Sequence, residues 1–207
     1  MNTLRPMPLI AIMRGIRPAE IGDHLQALIG AGFSSIEIPL NSPEWEQSIG
    51  LAVGRFGSSA EIGAGTVLTV AQVDRLAALG CRLIVTPNTS PAVIRRAAAL
   101  GMAVYAGCAT ATEAFQAIDA GASRLKIFPS STFGPDYISA LAAVMPAGVE
   151  LYAVGGVTPE NLDRYFRAGC AGVGLGGALY RAGQSAEETA QRAAAFVHRY
   201  RQLTNIN

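Results

Sequence analysis

The sequence predicts an α/β fold, a single-domain (β/α)8 TIM barrel spanning residues 1–207, and three observations predict it. Short apolar runs recur about every 20 to 25 residues, the spacing of a strand–helix unit. The runs carry Ile, Val and Leu on consecutive positions, as strands buried on both faces of a parallel sheet do. Between the runs lie segments that open on helix caps and stop at a repeated glycine. Alternation alone does not establish closure, so a doubly wound open sheet stays as the alternative.

In chain order, the first run is 9–13, ended by Arg14, and the helix after it stops at Ala31-Gly32-Phe33. The second run, 36–40, holds Glu37 between two isoleucines and is ended by Pro39. The third, 61–66, ends on Thr66, and its helix stops at Gly80. The fourth, 83–87, ends in Thr86-Pro87-Asn88; Ser90-Pro91 then places a cap before a first-turn proline, and Gly101 closes that helix. The fifth, 103–106, leads to Thr110 and Glu113, spaced as a capping box, with Gly121 at the helix end. The sixth, 125–129, contains Lys126. The seventh, 150–154, runs into Gly155-Gly156, with Thr158-Pro159 predicted to open the next helix and Gly169 to close it. The eighth, 172–175, precedes a last helix that Ser185 and Glu188 cap as a second box. No linker or low-complexity segment divides the chain.

Composition excludes several classes of function. Half of the residues are hydrophobic, 15% are charged and the formal net charge is +1, with the arginines scattered. That pattern offers no electrostatic footprint for nucleic acid or for an anionic membrane. No apolar stretch approaches the roughly 20 residues of a membrane-spanning helix, and 7–13, which Arg14 ends, is shorter than a signal-peptide core plus cleavage site, so a cytoplasmic protein is expected. Cys81, Cys108 and Cys170 are far apart and odd in number, as expected of buried thiols rather than of disulfides or a zinc site. His24 and His198 fall in helical segments away from any strand end, so no metal and no cofactor is expected. The run Gly174-Leu175-Gly176 matches part of a dinucleotide fingerprint, but the rest of that motif is missing.

Lys126 is the only lysine in the chain, and it falls in a short apolar strand. An ammonium buried there is costly unless it is paired or neutral. A buried lysine of lowered pKa is the usual nucleophile for imine formation with a carbonyl. Glu37 is the second charge that a barrel interior would reject unless another charge answered it. One account is a structural Lys–Glu ion pair, although such pairs seldom improve on apolar packing. The other joins a nucleophilic amine, a carboxylate that moves protons, and Arg14 as a guanidinium for a substrate carboxylate. The glycine-rich ends of the seventh and eighth runs, at 154–159 and 172–177, stand where barrel enzymes cradle phosphate with backbone amides. A sugar-phosphate isomerase or epimerase, or a non-catalytic phosphate-binding barrel, would share those glycines.

With these residues in hand, the chain resembles the class I aldolases that cleave 2-keto-3-deoxy-6-phospho sugar acids. The segments that carry the resemblance are PLIAIMRG (8–15), EIPLNSP (37–43), GAGTV (63–67), VTPN (85–88), GCATATEA (107–114), LKIFPSS (125–131) and AVGGVTPEN (153–161), and they span nearly the whole chain. The resemblance implies retro-aldol cleavage of a phosphorylated 2-keto-3-deoxy sugar acid to pyruvate and D-glyceraldehyde 3-phosphate, without metal, by a homotrimer. Carried over by position, Lys126 forms the Schiff base and Glu37 is the general acid/base. Arg14 and Thr66 hold the pyruvoyl end, and Pro87, Val154 and Thr158 complete the substrate-binding set. Gly155, Gly156, Gly176 and Gly177 bind phosphate through their amides. The family pattern has serine where this chain has Gly177, which implies weaker phosphate binding rather than a lost site. The segment 128–135 is similar to the galactonate branch. Val154 stands where the gluconate branch has threonine, and an aliphatic side chain there leaves acceptance of both C4 epimers open.

Overall fold

The computed structural model describes residues 7–204; residues 1–6 and 205–207, which the single-domain expectation also covers, lie outside the described residues. Eight strands alternate with eight α-helices: β1 Leu9–Ile12, α1 Ile21–Ala31, β2 Ser35–Pro39, α2 Trp45–Phe56, β3 Glu61–Gly65, α3 Val70–Ala78, β4 Leu83–Val85, α4 Pro91–Ala99, β5 Ala103–Cys108, α5 Ala111–Asp119, β6 Arg124–Ile127, α6 Ser130–Ala142, β7 Glu150–Val154, α7 Leu162–Arg167, β8 Gly172–Leu175 and α8 Ala186–Thr204. Each strand pairs in parallel with the next, and β8 pairs with β1 through Ile10↔Gly174, so the sheet is a closed barrel. Closure removes the open-sheet alternative.

The strand ends differ from the predicted runs for local reasons. β3 stops before Thr66, whose φ of 58° lies outside the extended region. β4 and β6 stop short of Pro87 and Pro129, which have no N–H to give to a ladder. β5 runs two residues further than predicted because Gly107 and Cys108 pair with Lys126 and Ile127.

The stop signals hold at the predicted glycines: Gly32, Gly80, Gly101, Gly121 and Gly169 all have positive φ. The box at Thr110 and Glu113 is complete. At the start of α8 only one half is present, with Ser185 Oγ accepting from the Glu188 amide at 3.1 Å. A further complete box, Thr69 with Gln72, opens α3. Thr158-Pro159 does not open α7, which begins three residues later than Pro159. Asn161 accounts for the difference, since its side chain accepts from the Thr158 amide and donates to the Gly156 carbonyl, holding 156–161 as a turn.

Alternation along each strand divides the side chains between two cores. Ile36, Ile38, Ile84, Val104, Ala106, Leu125, Ile127, Leu151, Val173 and Leu175 face the helices and join the larger cluster. Ile10, Leu83, Val85, Tyr105 and Tyr152 fill the barrel axis. Glycines make room inside: a Cβ on Gly63 would overlap Leu83, and one on Gly172 would overlap the Tyr152 ring. Pairing small with large across neighbouring strands is how a small barrel fills its axis.

His24 is buried against α8, its Nδ1 2.9 Å from Thr189 Oγ1 and its ring edge-on to Tyr180, while His198 lies on the outer face of α8. The three cysteines are buried free thiols, each pushed up to about 12 by burial. Among the described residues no helix is long and apolar enough to cross a membrane.

Candidate active site

The pleat that sends Ile36 and Ile38 toward the helices turns Glu37 toward the barrel axis. In β6 the same alternation sends Leu125 and Ile127 outward and Lys126 inward. The two charged side chains line one interior cavity with Ile12, Val85, Val154 and Gly174. Glu37 is 1% exposed and Lys126 5%.

Two glycines on the strands beside them are sterically required, for different reasons. A Cβ on Gly65 of β3 would overlap the Glu37 carboxylate, whereas one on Gly107 of β5, in register with Lys126, would meet the backbone of residues 86–88 instead. Neither requirement was read from the sequence, where Gly63 and Gly65 counted only as a motif. Glycine at alternate positions of one strand, at 63 and 65 and again at 172 and 174, was the signal that could have found it.

Burial dominates the electrostatics. It raises the Glu37 carboxyl to about 7, against the opposing pull of Lys126 and Arg14. Burial likewise lowers the Lys126 ammonium, Arg14 adding to the effect and Glu37 opposing it. Glu37 Oε2 is buried with no hydrogen-bond partner, so the carboxyl is not held in a satisfied structural pair. The half-exposed ring of Phe128 stands 4.8 Å from Lys126 Nζ and walls the amine from one side.

The remaining predicted residues gather on the C-terminal rim. Arg14 is exposed in the loop after β1, its Nη1 donating to Asn41 Oδ1 at 2.6 Å, while the neighbouring Gly15 amide donates to Ser42 Oγ at 2.9 Å. Asn41 thus fixes the guanidinium that the sequence singled out. It lay inside a quoted motif without a role of its own. Thr66 holds a left-handed backbone, unusual for a β-branched residue, at the end of β3 directly after Gly65. Pro87 follows the buried Thr86, whose Oγ1 donates to the Asn88 carbonyl at 2.7 Å and accepts from the Gly107 amide at 3.0 Å. Val154 is buried, and its amide donates to Ser130 Oγ at 3.0 Å. The Thr158 side chain engages Glu160, whose carboxyl it pulls below its ordinary value.

The two glycine clusters have different origins. Gly155 and Gly156 have φ of 100° and 74°, conformations that only glycine adopts readily. Gly176 and Gly177 lie outside the left-handed region, and a Cβ on either would meet nothing within 4 Å. Glycine at 177 is therefore a choice and not a backbone necessity.

Residues 1–195 match the family model described as "Aldolase: KDPG and KHG aldolase". The chain is 64% identical to the 2-dehydro-3-deoxy-6-phosphogalactonate aldolase of Escherichia coli (strain K12) over 95% of this chain and 96% of that one. A solved structure described as native KDPGal superposes with a TM-score of 0.96 at 61% identity, covering 99% of this chain and 100% of that one. A cube-shaped protein cage designed by fusing symmetric oligomeric domains matches with a TM-score of 0.96 at 62% identity, covering 98% of this chain and 75% of that one. With a matching model over nearly its whole length and a relative of that identity, the chain belongs to the KDPG and KHG aldolase family.

Proposed function

We propose that this chain is a class I aldolase that cleaves 2-dehydro-3-deoxy-6-phospho-D-galactonate to pyruvate and D-glyceraldehyde 3-phosphate through a Schiff base on Lys126. The observation that carries this reading is one buried amine and one buried carboxyl facing the same cavity, their pKa values moved toward neutrality from opposite sides. Such convergence suits groups that exchange protons and serves no purpose in a packed core.

The chemistry follows from those states. Neutral Lys126 attacks the C2 ketone, forming the N–C bond of a carbinolamine. Protonated Glu37 supplies the proton with which the C2 oxygen leaves as water, giving the iminium. The Glu37 carboxylate then takes the proton of the C4 hydroxyl. The C3–C4 electron pair moves into the iminium, and D-glyceraldehyde 3-phosphate departs. The remaining enamine takes a proton at C3, and hydrolysis of the resulting iminium releases pyruvate and the free amine. A carboxyl near 7 can give and take protons in turn at neutral pH. Arg14 and Thr66 hold the pyruvoyl end, and Pro87, Val154 and Thr158 line the path of the sugar chain. The amides of Gly155, Gly156, Gly176 and Gly177 receive the phosphate.

The enzyme acts as one catalytic domain in the cytoplasm and as a homotrimer, the last supported by the symmetric oligomeric domains of the 62% identical cage protein. Acceptance of the gluconate epimer is a second reading, favoured by the aliphatic Val154 at the cavity wall. Pyruvate release coupled to lactate dehydrogenase tests both readings. Cleavage of the galactonate substrate is expected, with the gluconate epimer cleaved at a lower kcat/KM. Release of pyruvate from neither would overturn the assignment.

A further inference from the structure

Gly177 carries no side chain toward a bound anion, yet its carbonyl is the meeting point of two guanidinium groups. Arg181 Nε donates to it at 3.0 Å and Arg192 Nη1 at 3.3 Å. Arg181 belongs to the same loop. Arg192 reaches in from α8, fifteen residues along the chain, and its own guanidinium is held by Glu188 one turn earlier. The loop is closed beneath them, since the amides of Leu179 and Tyr180 both donate to the Gly176 carbonyl, at 2.8 and 2.9 Å. The Gly176 carbonyl shares its peptide with the Gly177 amide and the Gly177 carbonyl with the Ala178 amide, so both peptides of the turn are held on their oxygen side.

We infer that Arg192, together with Arg181, is a positioning residue for the phosphate of the substrate, acting through the Gly177 carbonyl where no hydroxyl is available. The inference rests on the phosphate reading of the β7 and β8 loops. Glycine at 177 leaves this peptide without a Cβ to restrict it, so its orientation depends on what holds the carbonyl. Hydrogen bonds from a guanidinium to a carbonyl are charge-assisted and directional. They also place two cations beside a turn whose amides face an anion. The arrangement parallels the other half of the cradle, where Asn161 Nδ2 donates to the Gly156 carbonyl at 2.9 Å. In each loop the carbonyl of the second glycine thus accepts from a side chain, Asn161 at Gly156 and the two arginines at Gly177.

The test is steady-state aldol synthesis from pyruvate with D-glyceraldehyde 3-phosphate or with unphosphorylated D-glyceraldehyde, in wild type, Arg192→Ala and Arg192→Lys. Arg192→Ala is expected to raise KM for the phosphorylated aldehyde about tenfold. Its kcat and its KM for D-glyceraldehyde and for pyruvate should stay within about twofold. Arg192→Lys, which keeps one donor and the charge, should recover part of the loss. An equal rise in KM for both aldehydes, or none for either, would overturn the positioning role. Wild type showing no preference for the phosphorylated aldehyde would instead sink the phosphate reading, and the inference with it.

Discussion

The chemistry proposed for this barrel rests on two side chains that its interior would otherwise refuse. A buried carboxyl near 7 is mostly neutral below that pH, and raising the pH forces a charge into the barrel axis. Between its ordinary 4.5 and about 7, the folded chain holds more proton on Glu37 than the unfolded chain does. This contribution to stability is therefore complete at the acid end of the window and is lost as pH rises through 7. Glu37→Gln removes the titration. Urea melts at pH 5 and pH 8 should show wild type losing on the order of 2 kcal/mol relative to that variant across the interval. An identical pH slope in the two proteins would mean that Glu37 is already ionised in the folded state. The same variant should slow turnover by roughly 10²- to 10⁴-fold while still forming some imine with pyruvate.

At the scale of the strand, small residues decide where large polar ones can sit. Gly65 leaves the volume that the Glu37 carboxyl occupies, and Gly174 does the same for Val154. Gly65→Ala should push the carboxyl off its position, at a packing cost of about 1–3 kcal/mol. Turnover should fall by about a hundredfold or more, with a melting temperature several degrees lower. Wild-type kcat in Gly65→Ala would show that the Glu37 position is not set by β3. Much of this level was legible in the sequence: helix stops at five glycines, the box at Thr110, and strands recognised by consecutive Ile, Val and Leu. The consecutive apolar pattern also hid what mattered, because residues buried on both faces do not announce which face is inside. The start of α7 was missed because Thr158-Pro159 carries a helix-opening signal that the Asn161 side chain overrides with a local turn. Asn41 and Arg192 were silent for another reason. Their hydrogen bonds join loops and a helix that only the closed barrel brings together.

For the whole molecule, closure through β1 and β8 is what turns a list of strand-end residues into one site. Glu37 and Lys126 lie four strands apart in order, on opposite sides of the ring, and meet only because the ring is complete. Repeating units and strand-end chemistry pointed to that outcome, but pairing between the first and last strands has no local signature. Several large apolar side chains stay exposed on the single chain, among them Leu51 at 41%, Leu68 at 51% and Val144 at 57%. Covering such surface is what the proposed trimer would accomplish. Light scattering on the eluting protein should give three times the chain mass, and a monomer mass at micromolar concentration would contradict the trimer.

The most direct test of the central claim is intact mass after incubation with pyruvate and borohydride, on wild type and Lys126→Arg. A single reduced pyruvate adduct on wild type, absent from the variant, is the expected result, because the guanidinium cannot form the imine and the chain has no other lysine. An adduct on Lys126→Arg, or none on wild type, would contradict imine chemistry at Lys126.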